Sequence, residues 1–194
     1  MKRFALLVID MNVGSFNSNA RGGILHRAKE HLVPCINGLA AAFRTKGLTV
    51  IWVTQRFKDD LSNAPVLQRK SGDKKFVESS DGWKLLPELD VQPGDQVVVK
   101  RLYSAFFDTD LHERLQQAEV TSLVIPGVNT YACVRATTLD AYQHGYDPII
   151  WPRDGIAASL PQFEQDTLRY MLGDAPGRGL VEGLLSNEEI ITRL

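Results

Sequence analysis

Five short apolar runs, at residues 4–9, 48–53, 96–99, 122–125 and 148–151, leave this chain few folds to choose from. Each is nearly continuous in apolar residues, many of them β-branched, rather than alternating. That is how strands buried on both faces of a parallel sheet read. Segments with helical spacing lie between them. Residues 35–43 follow Pro34, a residue favoured in a first helical turn, and Gly47 closes the pattern. Residues 109–115 open with Thr109 and place Leu111 and Leu115 four apart, residues 130–144 stop at Gly145, and residues 161–172 stop at Gly173. Ser186 and Glu189 have the spacing of a capping box and open a last helix, after an edge strand around residues 180–184. Strands that alternate with helices in this way predict right-handed crossovers and a three-layer α/β/α, doubly wound, mostly parallel sheet.

A chain of 194 residues with 44% hydrophobic content can fill one core, so a single domain over residues 1–194 is expected. The net charge is -1 and no segment gathers Lys and Arg, which argues against nucleic acid as a partner. The start, Lys2 and Arg3 ahead of an apolar run, superficially resembles a signal peptide. The run is short and ends in Asp10 rather than at a small-residue cleavage site, so it reads as a buried first strand. No stretch approaches the roughly 20 apolar residues of a membrane span. Two cysteines, far apart and without metal-ligand spacing, suggest neither a disulfide framework nor a zinc site, and a reducing, cytoplasmic setting is expected. Residues 56–94 are long, polar and aperiodic, the signature of a lid or a partner surface.

Open parallel sheets take ligands beyond the carboxyl ends of their strands. Polar residues placed directly after apolar runs are therefore the candidates: Asp10, Lys100, and the turn from Pro126 to Cys133. A thiol in the first turn of a helix feels the positive end of the helix dipole and unpaired N–H groups, which favour thiolate; a free cysteine is also often just a small buried apolar residue. Cys35, set among alanines and leucines, reads as core. Asp10 could cap a turn or form a structural ion pair, and Lys100 could snorkel to solvent.

Taken together, three segments resemble the isochorismatase-like cysteine hydrolases: residues 7–11 around Asp10, residues 99–106 around Lys100, and residues 127–137 around Cys133, with further matches at Asp140-Ala141, Gly145-Tyr146 and residues 83–95. The family includes nicotinamidases, N-carbamoylsarcosine amidases and ureidoacrylate hydrolases. The resemblance implies a six-stranded sheet in the Rossmann-like order 3-2-1-4-5-6. It assigns Cys133 as nucleophile, Asp10 as proton acceptor and donor, and Lys100 as the cation that holds them. The oxyanion hole would be the main-chain N–H groups of Asn129 and Cys133, with Val128-Asn129 as a cis peptide. The implied reaction cleaves the C–N bond of a small amide, ureido or carbamoyl compound through a thioester; vinyl ether hydrolysis of an isochorismate-like diacid, or a noncatalytic member of the fold, are the alternatives.

Departures also matter. Nicotinamidases carry an Asp-x-His metal motif past the second strand, where this chain reads Thr54-Gln55-Arg56-Phe57, so no metal and no other cofactor is expected. Isochorismate-cleaving members lack the cysteine, so Cys133 favours acyl chemistry. Phe16, Tyr103 and Phe106 are candidate substrate contacts, and Arg56, Trp83 and Tyr131 also lie near the motifs. A homo-oligomer, dimer or tetramer, is expected, with residues 56–94 as the available surface; the apolar residues of that segment, Leu61, Val66, Leu67, Phe76 and Val77, could also fold back on a core of their own. Small-molecule substrate and water are the remaining partners.

Overall fold

The computed structural model describes residues 2–17, 23–174 and 178–194. Its centre is one parallel sheet of β1 (Phe4–Ile9), β2 (Thr49–Gln55), β3 (Gln96–Lys100), β4 (Ser122–Val124), β5 (Gly127–Val128), β6 (Ile149–Pro152), β7 (Ile156–Ala157) and β8 (Leu184–Leu185). The path β3-β2-β1-β4-β6-β8 is the order 3-2-1-4-5-6 along six strands. The strand count differs from the expected six because β5 and β7, two residues each, continue past β4 and β6 and pair with β1 and with each other. The break before β5 falls at Pro126, which has no N–H to give a ladder, although its carbonyl still accepts from Ile9 N at 2.9 Å.

Every side chain of β1 is buried, and its two faces feed different cores. Phe4, Leu6 and Val8 join Val50 and Trp52 of β2 under α1 (Ile24–Thr45) and α6 (Asn187–Arg193). Ala5, Leu7 and Ile9 join Ile51 and Val53 under α3 (Leu111–Gln117), α4 (Arg135–Gln143) and α5 (Pro161–Leu172). This is the three-layer α/β/α architecture, and it explains why the strands show no alternation: both faces exclude water. Ser186 caps α6 through the reciprocal bonds of a capping box.

One boundary departs from expectation. Helix α1 begins at Ile24 and carries Pro34 in its interior, not in its first turn. An interior proline costs about 3 kcal/mol. The stripe of Leu25, Ala28, Leu32, Ile36, Leu39 and Phe43 runs through it on one buried face, and full burial of each large aliphatic is worth about 1.5–3 kcal/mol, so packing outweighs the defect.

Residues 56–94 fold back onto the domain. Phe57, Leu61, Ala64 and Val77 form a small core of their own, and a short helix, α2 (Val66–Ser71), leaves Val66 and Leu67 exposed. Leu61 and Val77 thus fold back on a core of their own, while Val66 and Leu67 stay at the surface. The far end of the segment is fastened to the turn after β1: Leu86 N donates to Met11 O at 2.9 Å, Val13 N to Lys84 O at 2.9 Å, and Gly14 N to Gly82 O at 2.9 Å. At the approach to β3, Asp95 accepts from Arg44 Nε at 2.9 Å and from Trp52 Nε1 at 2.8 Å. Burial opposes its charge, yet these donors hold the Asp95 carboxyl below the ordinary carboxylate range. No helix among the described residues is long and apolar enough to cross a membrane.

Candidate active site

The carboxyl ends of β1, β3 and β4/β5 converge on one point. Asp10 leaves β1 in a left-handed conformation with φ 51°, its N–H donating to Val53 O at 3.0 Å. Aspartate tolerates this region better than most residues. Lys100 closes β3 on the far side of β2, opposite Gln55 in register. Two strand spacings are roughly 10 Å, and the unbranched lysine stem crosses them inside the protein. The turn after β3 is held to α4 by Ala105 N donating to Thr137 Oγ1 at 3.0 Å.

Lys100 has no solvent exposure, and its ammonium spends its three donors on Asp10 Oδ2 at 2.8 Å, Leu102 O at 2.9 Å and Cys133 Sγ at 3.3 Å. Burial disfavours the charge, but the Asp10 carboxylate and the Cys133 sulfur beside it hold the Lys100 pKa above its ordinary value. Asp10 is buried, and its second oxygen, Oδ1, has no hydrogen-bond partner among the described residues. Cys133 responds in the opposite sense to a helix-activated thiol. Burial and the Asp10 carboxylate push it up to about 12, against the opposing pull of Lys100. The resting sulfur is therefore a thiol with a carboxylate beside it to take its proton.

Cys133 was expected in a regular first helical turn. The structure instead winds Thr130–Val134 as a π-type turn that runs into α4. Ala132 N and Val134 N both donate to Asn129 O, at 3.0 and 3.3 Å. The Val128-Asn129 peptide is cis, as the sequence resemblance implied. Asn129 Oδ1 accepts from Ser159 N at 2.7 Å, Tyr131 OH pairs with Ser159 Oγ at 3.1 Å, and Thr130 Oγ1 donates to Glu164 Oε1 at 2.8 Å. These bonds fix the turn from the β7 side. Gly127, with φ 129°, lies so close to β1 that a Cβ there would meet Ile9 O at 2.1 Å.

Cys133 opens into a cavity of about 390 Å³. Gly14 and Ser15 line it from the turn after β1, Gln55 from the end of β2, Tyr103 from the turn after β3, and Asn129, Tyr131 and Ser159 from the nucleophile side. Gln68, Lys75 and Phe76 line it from the 56–94 segment, which thus acts as a wall of the site. Of the expected substrate contacts, only Tyr103 borders this cavity. Phe16 packs in the core under α1, and Phe106 packs in the other core against the rings of His144 and Tyr146, at 5.1 and 5.8 Å. Both are bulky hydrocarbon side chains whose burial wins over display. Arg56 lies over the Trp83 ring at 4.7 Å, and neither residue lines the cavity. Cys35 is core, its thiol pushed up to about 12 chiefly by burial.

Sequence reasoning missed Gln55, Ser159, Gln68 and Lys75. Gln55 was findable, since it is a polar residue ending an apolar strand like Asp10 and Lys100. Lys75 carries no such signal. For a metal, the donor set does not fit: among the described residues no three His, Cys, Asp or Glu side chains gather, and β2 ends in Gln55 with Arg56 next in the chain.

Comparison with known proteins places these features in a wider set. The family model for the isochorismatase domain matches residues 4–176. A probable inactive nicotinamidase of Arabidopsis thaliana is 32% identical over 165 residues, 81% of this chain and 82% of that protein. Ureidoacrylate amidohydrolase RutB of Klebsiella pneumoniae is 31% identical over 190 residues, 86% of this chain and 78% of that protein. In fold, an isochorismatase family protein from Desulfovibrio vulgaris superposes with a TM-score of 0.83 at 24% identity, each chain covered in full.

Proposed function

This chain belongs to the isochorismatase family, and we propose that it is a metal-free, cysteine-dependent hydrolase cleaving the C–N bond of a small amide, ureido or carbamoyl compound. The observation that carries this reading is the buried contact set of Lys100 with Asp10 Oδ2 at 2.8 Å and Cys133 Sγ at 3.3 Å, at the floor of a cavity. A vinyl ether hydrolase needs a general acid but no thiol held in this way. The amidohydrolase relatives support the same reaction class.

In the proposed reaction the Cys133 sulfur attacks the carbonyl carbon as its proton passes to Asp10. The base is essential because a thiol held up at about 12 is scarcely ionised at neutral pH. The tetrahedral oxyanion is stabilised by the main-chain N–H groups of Asn129 and Cys133. Asp10 returns the proton to the nitrogen, the C–N bond breaks, and an amine or ammonia leaves a thioester. Water then attacks the thioester as Asp10 takes its proton; the C–S bond breaks, the sulfur is reprotonated, and a carboxylic or carbamic acid departs. Lys100 stays cationic throughout and offsets the charge that moves between sulfur and carboxylate.

The test is an ammonia-release screen across ureido, carbamoyl and simple amide compounds, run with the wild type and with Cys133→Ala. Release that Cys133→Ala abolishes, and that iodoacetamide abolishes in the wild type, supports the reading. Turnover surviving in Cys133→Ala overturns it.

A further inference from the structure

The cavity above Cys133 is electrically lopsided. Beneath it the Asp10 carboxylate and the Lys100 ammonium cancel. Of the described residues that line it, Lys75 alone carries a formal charge. No described carboxylate forms a salt bridge with Lys75: Asp73, the nearest acid in sequence, uses Oδ1 to accept from the Lys75 main-chain N–H at 2.8 Å. Two of the neutral amides that line the cavity are tethered to the main chain. Gln55 Nε2 donates to Arg101 O at 3.3 Å, and Gln68 Nε2 donates to Asp73 O at 2.5 Å.

A lysine in a long polar segment is usually a solvated surface cation. Lys75 is built in differently. A Cβ on Gly14 would come within 2.8 Å of both Lys75 Cγ and Phe76 Cε1, so the lysine stem and the neighbouring ring occupy the space a side chain would need. A Cβ on Gly82 would lie 1.9 Å from Lys75 O. The two glycines are themselves tied, Gly14 N donating to Gly82 O at 2.9 Å. Lys75 Nζ sits 5.8 Å from the centre of the Phe76 ring, a position in which the ring face favours the cation.

Resting on the amidohydrolase reading for its scissile bond, we infer that Lys75 is an anion subsite and that the substrate carries a carboxylate beside the amide or ureido group, as an N-carbamoyl or N-acyl amino acid does. Gly14 and Gly82 hold the ammonium in the cavity wall, and Lys75 selects acids over their neutral esters.

Two measurements separate this inference from the reaction it rests on. In the first, Cys133 is alkylated at pH 8 with iodoacetate and, separately, with its neutral counterpart iodoacetamide, and the modified protein is followed by mass spectrometry. The Asp10–Lys100 pair is the same in every variant, so it drops out of the comparison. Lys75→Met keeps the unbranched stem against Gly14 and should lower the iodoacetate-to-iodoacetamide rate ratio about tenfold, the scale of one charge pair at a partly solvated site. Lys75→Arg should retain the ratio, and Gly14→Ala, which displaces the stem, should lower it in part. In the second, hydrolysis of N-carbamoyl amino acids is compared with that of their methyl esters, and the acid-to-ester preference in kcat/KM should fall in Lys75→Met by a similar factor. A ratio unmoved by Lys75→Met overturns the subsite even if the enzyme is active. A ratio that moves while no compound is hydrolysed leaves the subsite standing and removes the amidohydrolase reading instead.

Discussion

Replacing Lys100 by methionine isolates what the buried cation does. Methionine keeps an unbranched stem of similar length and removes all three hydrogen bonds that the ammonium makes, to Asp10 Oδ2, Leu102 O and Cys133 Sγ. The loss is not three ordinary bonds. Asp10 is 5% exposed, so without its partner it becomes an uncompensated charge in the interior. Breaking a buried pair from one side costs about 3–5 kcal/mol, whereas replacing both partners is close to neutral. At about 2–4 °C per kcal/mol for a chain of this size, Lys100→Met should melt about 6–20 °C below the wild type. The assay is thermal and urea unfolding of Lys100→Met, Asp10→Asn and the double variant. The double variant should be more stable than Lys100→Met alone, with a coupling of at least about 1 kcal/mol. Additive effects, or a Lys100→Met protein as stable as the wild type, would refute the claim that these groups form one desolvated unit.

Four further outcomes follow from the same structure. Because the Cys133 pKa is raised from 9.0 to about 12, the thiol form is favoured, and iodoacetamide modification should keep climbing by about tenfold per pH unit above pH 9; a plateau near pH 9 would show an unperturbed thiol. Above pH 9 an unfolded thiol ionises while the folded one does not, so stability should also fall as pH rises from 9 toward 12, and less steeply in Cys133→Ala. Gly127→Ala would put a Cβ 2.1 Å from Ile9 O at a φ of 129° and should destabilise the protein by about 2 kcal/mol or more in urea; a near-neutral result would mean that β5 does not lie against β1 as described. Tyr103, Phe107, Tyr142, Phe163 and Tyr170 are exposed, and we propose that a homo-oligomer covers part of this apolar area; light scattering should give two or four times the chain mass, and a monomer at micromolar concentration would contradict this.

What could be read from the sequence divides along a physical line. Strands buried on both faces announce themselves as continuous apolar runs, and β1 to β4 lie within two residues of where those runs predict. Polar groups that end such strands have few places to go, which is why Asp10 and Lys100 stood out before their contact was known. That Lys100 reaches across β2 to Asp10 follows only from the family resemblance, because sequence spacing by itself carries no information about the order of strands. Pro34 misled on α1, since a local propensity of about 3 kcal/mol was outweighed by a long buried face that only tertiary packing supplies. Phe16 and Phe106 misled in a similar way: nearness to a motif in sequence does not say which side of the chain an aromatic ring turns to. Lys75 was illegible because its place depends on two glycines, at positions 14 and 82, from segments that meet only in the fold.

The central claim is that Cys133 carries the acyl group. Its most direct test is the intact mass of the protein acid-quenched during turnover of a ureido, carbamoyl or amide substrate identified by ammonia release. The account predicts a wild-type species heavier by the acyl fragment, lost on treatment with hydroxylamine, mapped to Cys133, and absent from Cys133→Ala. Turnover by Cys133→Ala at the wild-type rate, or an adduct that maps to another residue, would contradict it.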